Sequence, residues 1–377
     1  MKDFDPGHSV QARVPRSIKA RSVTLTNKGG FVKVFARLSA GAAVAAALTA
    51  GMIGAATSSA RTTHSKKKSN ASSFTLGVVA DTGGLNDHGF NHLAYVGELE
   101  AHAKLGVKYQ VLVSTSSADY VPYLTKEAEN GDKLVVAVGF DFTDALGQVA
   151  KEFPKTHFAI IDTPAQTIPG KPKNVEGLIF KSQQSGYLVG YLSGLVSKAK
   201  GYKIVSTVGG QDIPSVTAYI AGFQAGAKAA DPKIKLLNAF SNNFADQAPC
   251  ETLADNQIAQ GSKIVFQVAG GCGLGALQAA KQKGVYGIGV DANQGYLGSY
   301  ILTSALKRVN NAVFQATQDL LKGKFDGGGN LVYDVNNNGT GYGSLNAVAK
   351  PYAGQLNKIL AEIKAGKINV PTTMMVK

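Results

Sequence analysis

From residue 74 onward the chain alternates short runs that are apolar at nearly every position with longer stretches whose apolar residues recur at helical spacing. The strand-like runs are 74–80, 109–113, 134–138, 158–161 and 178–180, and a second series follows at 204–208, 234–239, 264–268 and 286–290. Stretches 93–105, 143–153, 187–197, 216–230 and 252–260 read as helices between them. A strand without a polar face is one covered on both faces, and strands separated by helices pair in parallel through right-handed crossovers. The pattern predicts an α/β fold of two similar doubly wound lobes with a cleft between them.

Ligands of open parallel sheets sit beyond the carboxyl ends of the strands, so the residues following each run are the candidates for function. Run 74–80 is followed by Asp81 and a Gly/Asn-rich loop that reaches Phe90 and Asn91, where a helix begins. Asp141 comes after the run at 134–138 and Asp162 directly after 158–161. In the second series Phe244 lies shortly after 234–239, a glycine loop containing Gly270 follows 264–268, and Asp291 follows 286–290. Aromatic rings on two lips with carboxylates around them suit a flat ring carrying hydroxyl and amino groups: rings stack, and carboxylates accept charge-assisted hydrogen bonds. Taken one at a time, a strand-end Asp is more often a helix cap and a Phe more often core. Their recurrence at matching strand ends points instead to a site.

Composition changes the picture mainly at the N-terminus. The 377 residues are 44% hydrophobic with 44 glycines, a turn-rich globular chain long enough for two lobes and an appendage. The net charge of +14 suggests a nucleic-acid partner until it is located. Residues 1–60 hold eight Lys/Arg against two Asp, and 61–70 add four basic residues, which leaves +4 for 71–377. A basic appendage on a nearly neutral body argues for a membrane and against nucleic acid. The basic stretch precedes an apolar run at 38–56 and the small residues Ser58, Ser59 and Ala60, the order of an export signal. Segment 1–60 is therefore expected to be a signal peptide or N-terminal anchor, and 61–73 a Ser/Thr/Lys linker. Lobe 1 is expected over 74–198 plus about 302–325, and lobe 2 over 199–301 plus about 326–377. The protein would be extracytoplasmic, secreted or periplasmic, or held by an uncleaved N-terminal segment.

Three short motifs bear on chemistry. Residues 271–276 read G-x-G-x-x-A between a strand and a helix, with Asp291 twenty residues after the first glycine, which is a dinucleotide fingerprint and supports an exported NAD-dependent oxidoreductase as the alternative. The run Asp334-x-Asn336-x-Asn338-Gly339 opens like a calcium loop but has Leu345 at its twelfth position and reads as a turn. His88 and His92 lack a third ligand, so no metal is expected, and no nucleophile with a base or other cofactor site is visible. Cys250 and Cys272 are the only cysteines. In an oxidising compartment they are expected to form a disulfide, the alternative being two buried free thiols.

The body resembles the basic membrane protein family, the purine-nucleoside-receptor type of ABC-transporter substrate-binding protein. The matching segments are DTGGLNDHGFN (81–91), GFDFTDAL (139–146), FAIID (158–162), GLIFKSQQSGYLVGYLSGL (177–195), VGGQDIPSVTAYIAGFQAGAKAADP (208–232), FQVAGGCGLGALQAAKQKGVYGIGVDANQ (266–294) and LTSALKRVNNAV (302–313). The resemblance implies a periplasmic-binding-protein-like fold, two Rossmann-like lobes joined by a multi-strand hinge and closing on a nucleoside. It implies that Phe90 and Phe244 sandwich the base, that Asp81, Asn91 and Asp162 hold polar atoms of base or ribose, that Gly270 approaches by its backbone, and that Asp291 with Lys307 binds ribose. It further implies a non-enzymatic monomer that hands its ligand to an ABC permease in the membrane. The sequence departs from the family at Ala269-Gly270-Gly271-Cys272-Gly273, where AGGTG is usual, and at residues 289–294, where GVDxDQ reads GVDANQ. It also has no Cys ahead of Cys250 on which a lipid could be carried. A ligand-sensing regulator with the same two lobes is the other alternative, although residues 1–73 show no helix-turn-helix.

Overall fold

The structure, a computed structural model, describes residues 73–376. The expected signal or anchor at 1–60 and the linker up to residue 72 lie outside the described residues.

Lobe 1 begins with β1 (Thr75–Ala80), α1 (Phe90–Leu105), β2 (Lys108–Val113), α2 (Tyr120–Glu129), β3 (Leu134–Ala137), α3 (Thr143–Glu152), β4 (His157–Ile161) and β5 (Val175–Phe180). The chain then builds lobe 2 from α4 (Ser182–Lys200), β6 (Ile204–Gly209), α5 (Pro214–Ala230), β7 (Lys235–Phe240), α6 (Gln247–Ala259), β8 (Ser262–Val268), α7 (Gly270–Gln282), β9 (Tyr286–Asp291) and β10 (Ile301–Lys307). It returns to lobe 1 for α8 (Val309–Leu321) and β11 (Asn330–Tyr333), and ends with β12 (Thr340–Tyr342) and α9 (Ala353–Lys364) in lobe 2. The sheet orders are β11-β5-β4-β3-β1-β2 and β12-β10-β9-β8-β6-β7. Every pairing is parallel except β12 with β10.

Both sheets are buried on both faces, which is why their strands read as unbroken apolar runs. In lobe 1, Leu76, Val78 and Val136 pack toward α1 and α8, while Val79, Val135 and Phe158 pack toward α2 and α3. In lobe 2, Val205, Ile264 and Ile288 meet α4 and α5, while Val208 and Val265 meet α6 and α7.

Three segments cross between the lobes: Lys181 after β5, Arg308 after β10, and the turn from Asp334 to Gly339 after β11. The lobe boundaries expected from the sequence are corrected accordingly. Helix α4 packs its Val189, Leu192 and Val196 into the lobe 2 core, so lobe 1 is left at Lys181 instead of residue 198. Strand β10 pairs with β9 and belongs to lobe 2, and β11 pairs with β5 and belongs to lobe 1, which moves the other two crossings to 308 and 334–339. The crossings are tied to one another: Lys181 N donates to Tyr333 O at 2.8 Å and Arg308 N to Gly339 O at 2.9 Å. Asp334 closes its own turn by accepting from Asn336 N at 2.8 Å and Asn337 N at 3.3 Å, and the cation beside it is Lys181 Nζ at 3.3 Å.

All nine expected strands are present with small shifts at their ends. Strand β10 escaped the pattern because Thr303, Ser304 and Lys307 are buried polar residues within it, and β11 and β12 are too short to form a run. The expected glycine loop at 270–273 is instead the first turn of α7.

Candidate functional site

One cavity between the lobes is lined by all nine residues singled out from the sequence: Asp81, Phe90, Asn91, Asp141, Asp162, Phe244, Gly270, Asp291 and Lys307. The first five stand at the carboxyl ends of β1, β3 and β4 or at the start of α1, and the other four at the corresponding end of the second sheet or just beyond it.

The lobe 1 wall is held by a local carboxylate network. Asn91 Nδ2 donates to Asp81 Oδ1 at 2.7 Å, Gly83 N donates to the same oxygen at 2.7 Å, and Asp81 N donates to Asn91 Oδ1 at 3.0 Å. Asp87, in the loop ahead of the helix, caps α1. Its carboxylate accepts from the N–H groups of Gly89 at 2.9 Å, Asn91 at 2.7 Å and His92 at 3.0 Å, satisfying donors that the first helical turn leaves open. Phe90 is thereby fixed as the first residue of α1, with its ring beside the cavity. On the other wall the ring of Phe244 packs against Gly210, where an added Cβ would come within 2.1 Å of Cε1. The carbonyl of Phe244 accepts from Cys272 N at 3.1 Å. Phe90 and Phe244 line the same cavity from opposite lobes.

Charge is concentrated at the far end. Asp162 and Asp291 are both in the left-handed region, with φ of +69° and +60°, a conformation that Asp tolerates better than most residues and that turns the chain sharply at the strand end. Lys307 Nζ, at the end of β10, is ion-paired with Asp162, and both side chains are almost wholly buried. The same ammonium lies 4.6 Å from the Phe90 ring centroid and 5.1 Å from that of Phe180. Tyr219, in the middle of α5, donates its hydroxyl to Asp291 Oδ1 at 3.1 Å. Burial pushes the Asp291 carboxyl up to about 7 despite the opposing pull of Lys307, with Asp87 and Asp162 adding to the rise. Burial likewise pushes Asp81 up to about 7 against its hydrogen bonds from Gly83 and Asn91. Burial also raises Asp141, whose Oδ2 accepts from Gln211 Nε2 of lobe 2 at 3.1 Å. The cavity thus combines two aromatic side chains, several acceptor oxygens and one buried ammonium.

Tyr219, Gln211 and Asp87 were not singled out from the sequence. Tyr219 sits at helical spacing in an apolar stretch and reads as core; only Asp291 opposite it reveals its use. The 271–276 motif is also explained. Its first two glycines lie in the first turn of α7, where a Cβ on Gly273 would come 1.8 Å from Gln267 Oε1 and one on Gly271 3.2 Å from Phe244 O, so both make room for neighbouring protein atoms. Cys250 of α6 and Cys272 of α7 form a disulfide, with their Cα atoms 5.6 Å apart. His88 and His92 contribute to no metal cluster, and among the described residues no group of three His, Cys, Asp or Glu could hold a metal ion. Among the same residues, no helix is long and apolar enough to cross a membrane.

Two parallel-sheet lobes, three crossings and a polar cavity walled by both lobes define a bilobal solute-binding protein. The chain belongs to the family of PnrA-like ABC transporter substrate-binding proteins, whose family model matches residues 74–374. Its similarity to the ABC transporter nucleoside-binding protein BmpA of Lactococcus lactis subsp. cremoris is 31% identity over 358 residues, covering 89% of this chain and 99% of that protein. An uncharacterised lipoprotein of Pyrococcus horikoshii is 31% identical over 317 residues, covering 81% of this chain and 76% of the other. Among solved structures, a solute-binding protein of an ABC transporter system from Aeropyrum pernix superposes with a TM-score of 0.71 at 25% identity, covering 79% of this chain and 94% of that one. Substrate-binding proteins of this kind bind a small molecule for a permease and catalyse no reaction.

Proposed function

We propose that this protein is exported, closes on a purine nucleoside in the inter-lobe cavity and delivers it to a membrane permease. The observation that carries this reading is the entry of Phe90 and Phe244 into one cavity from opposite lobes, with Asp81, Asp141, Asp162 and Asp291 lining the same cavity. The base stacks between the rings, with Asp81 and Asn91 at its polar edge. Asp162, Asp291 and Lys307 hold the ribose hydroxyls, and Gly270 lets the α7 backbone approach the ligand. The name of the Lactococcus relative as a nucleoside-binding protein supports the same assignment.

Isothermal titration and thermal shift of the purified chain against inosine, guanosine, adenosine, free purines, free sugars and NAD test this reading. A nucleoside at about a hundred times its Kd raises stability by roughly 2.7 kcal/mol. Binding of sugars with no response to any nucleoside would overturn the assignment, and tight binding of NAD would favour the oxidoreductase.

A further inference from the structure

Gln294 opens the short turn Gln294–Leu297 between β9 and β10, and its side chain is wholly buried although it does not line the ligand cavity. Three of its hydrogen bonds stay within lobe 2. Its backbone N–H donates to Ser304 Oγ at 2.9 Å, and its Oε1 accepts from Val290 N at 3.2 Å and from Gln267 Nε2 at 3.0 Å. A backbone N–H can only donate, so the oxygen of the amide must face Val290 and the nitrogen must face the other way. There Nε2 donates to the backbone oxygen of His88 in lobe 1, at 3.2 Å.

The position of His88 gives that bond its leverage. His88 lies between Asp87, which caps α1, and Gly89 and Phe90, which start the ligand-facing part of lobe 1. It adopts a left-handed φ of +52°, uncommon for a residue with a side chain. Its ring meets Tyr296, two residues after Gln294, with centroids 5.9 Å apart. One turn of lobe 2 therefore grips the loop that carries Asp87, Phe90 and Asn91 through both its backbone and its side chain.

We infer that Gln294 is a positioning residue for lobe closure: its amide donor, held in place by lobe 2, locks onto the His88 carbonyl when the lobes meet and fixes the Phe90 loop in its binding geometry. The inference rests on the two-lobed binding class and not on the identity of the ligand. Separation of the lobes leaves the three lobe 2 bonds intact and breaks only the one to His88, so closure alone changes the satisfaction of this amide.

The test compares the wild-type chain with Gln294→Glu and Gln294→Met, reading the closed fraction by paramagnetic relaxation between a spin label on one lobe and nuclei on the other. It is run without added solute and with guanosine, at pH 5 and pH 8. The carboxylate of the Gln294→Glu variant keeps an acceptor for Val290 and Gln267 but sets a second acceptor against the His88 carbonyl. Its closed fraction at pH 8 is expected to fall roughly tenfold. At pH 5 the buried carboxyl is protonated, donates to His88 and recovers closure. Gln294→Met is expected to lose closure equally at both pH values. The ionisable groups around this contact, His88, Tyr296, Asp87 and Asp291, are the same in all three proteins, so the wild-type pH response is the baseline. A folded Gln294→Met chain that closes as wild type does, or a Gln294→Glu chain with no pH-dependent recovery, would overturn the inference. A wild-type chain that ignores guanosine overturns the nucleoside assignment alone, because the solute-free comparison still decides the role of Gln294.

Discussion

Lys307, the last residue of β10 in lobe 2, is ion-paired with Asp162, the residue that follows β4 in lobe 1. The pair spans the cavity at the end where Asp291 and Phe90 also converge, so charge neutralisation and lobe contact are one event. Removing one member leaves the other charge buried and unpaired, which typically costs about 3–5 kcal/mol. Lys307→Met and Asp162→Asn are each expected to lower Tm and to weaken nucleoside binding by roughly a hundredfold or more. The double variant should recover much of the stability and none of the binding. Calorimetry of the three proteins checks this, and normal binding by either single variant would remove the pair from the site.

Phe90→Ala is expected to weaken nucleoside binding by about tenfold to a hundredfold, from lost stacking and contact area on the order of 1–3 kcal/mol. The cap from Asp87 remains, so α1 still starts at the same place and the circular dichroism of the variant should match wild type. Titration calorimetry reads the affinity; an unchanged Kd would refute the sandwich.

Asp291→Asn separates the sugar from the base. The amide loses one charge-assisted acceptor, so binding of nucleosides is expected to fall by about tenfold while any free purine that binds is held as before. Tyr219→Phe, which removes the hydroxyl that orients Asp291, is expected to move the same ratio in the same direction by a smaller factor. Equal losses for nucleoside and free base in competition assays would place Asp291 outside the ribose subsite.

The Cys250–Cys272 bridge closes a loop with a sequence separation of 22 and joins α6 to the turn that anchors the Phe244 carbonyl. On the chain-entropy account a loop of this size stabilises the fold by roughly 3 kcal/mol. A Cys250→Ala/Cys272→Ala chain is expected to unfold at correspondingly lower denaturant and to bind nucleoside more weakly, through a looser Phe244. Thiol titration of the denatured, unreduced wild type is expected to find no free thiols.

Glu127 and Asp132 lie buried behind Gly77 of β1, and buried Glu98 is close enough to feel both charges. Burial, with Glu127 and Asp132 nearby, pushes Glu98 up to about 9 from an ordinary 4.5, and burial together with Asp132 raises Glu127 as well. A raised carboxyl binds its proton more tightly in the folded state, so its contribution to stability is complete below pH 4.5 and is lost progressively as the pH climbs toward 9. Tm is therefore expected to fall between pH 5.5 and 8.5, by roughly 2 °C for each kcal/mol lost. Glu98→Gln, which cannot ionise, should flatten that slope in differential scanning calorimetry; a variant with the wild-type slope would refute the cause.

The sequence by itself determined the two-lobed α/β architecture, because a parallel strand buried on both faces must be apolar along its whole length and that pattern is local. It also determined most of the candidate site, because open parallel sheets expose their carboxyl ends to the cleft and whatever follows a strand is placed there. Lys307 lay beyond that rule, since Thr303 and Ser304 hide β10 from any search for apolar runs; only its resemblance to family sequences singled it out. The lobe boundaries were decided by packing: α4 follows a lobe 1 strand in sequence but has its apolar partners in lobe 2. The same holds for the residues that set up the site without standing at a strand end. The hydroxyl of Tyr219 finds Asp291 across a separation of 72 positions, and the amide of Gln294 finds the His88 carbonyl across 206. Neither pairing leaves a periodic trace, because a single hydrogen bond between distant residues depends on where two lobes meet, and that is a property of the folded chain alone.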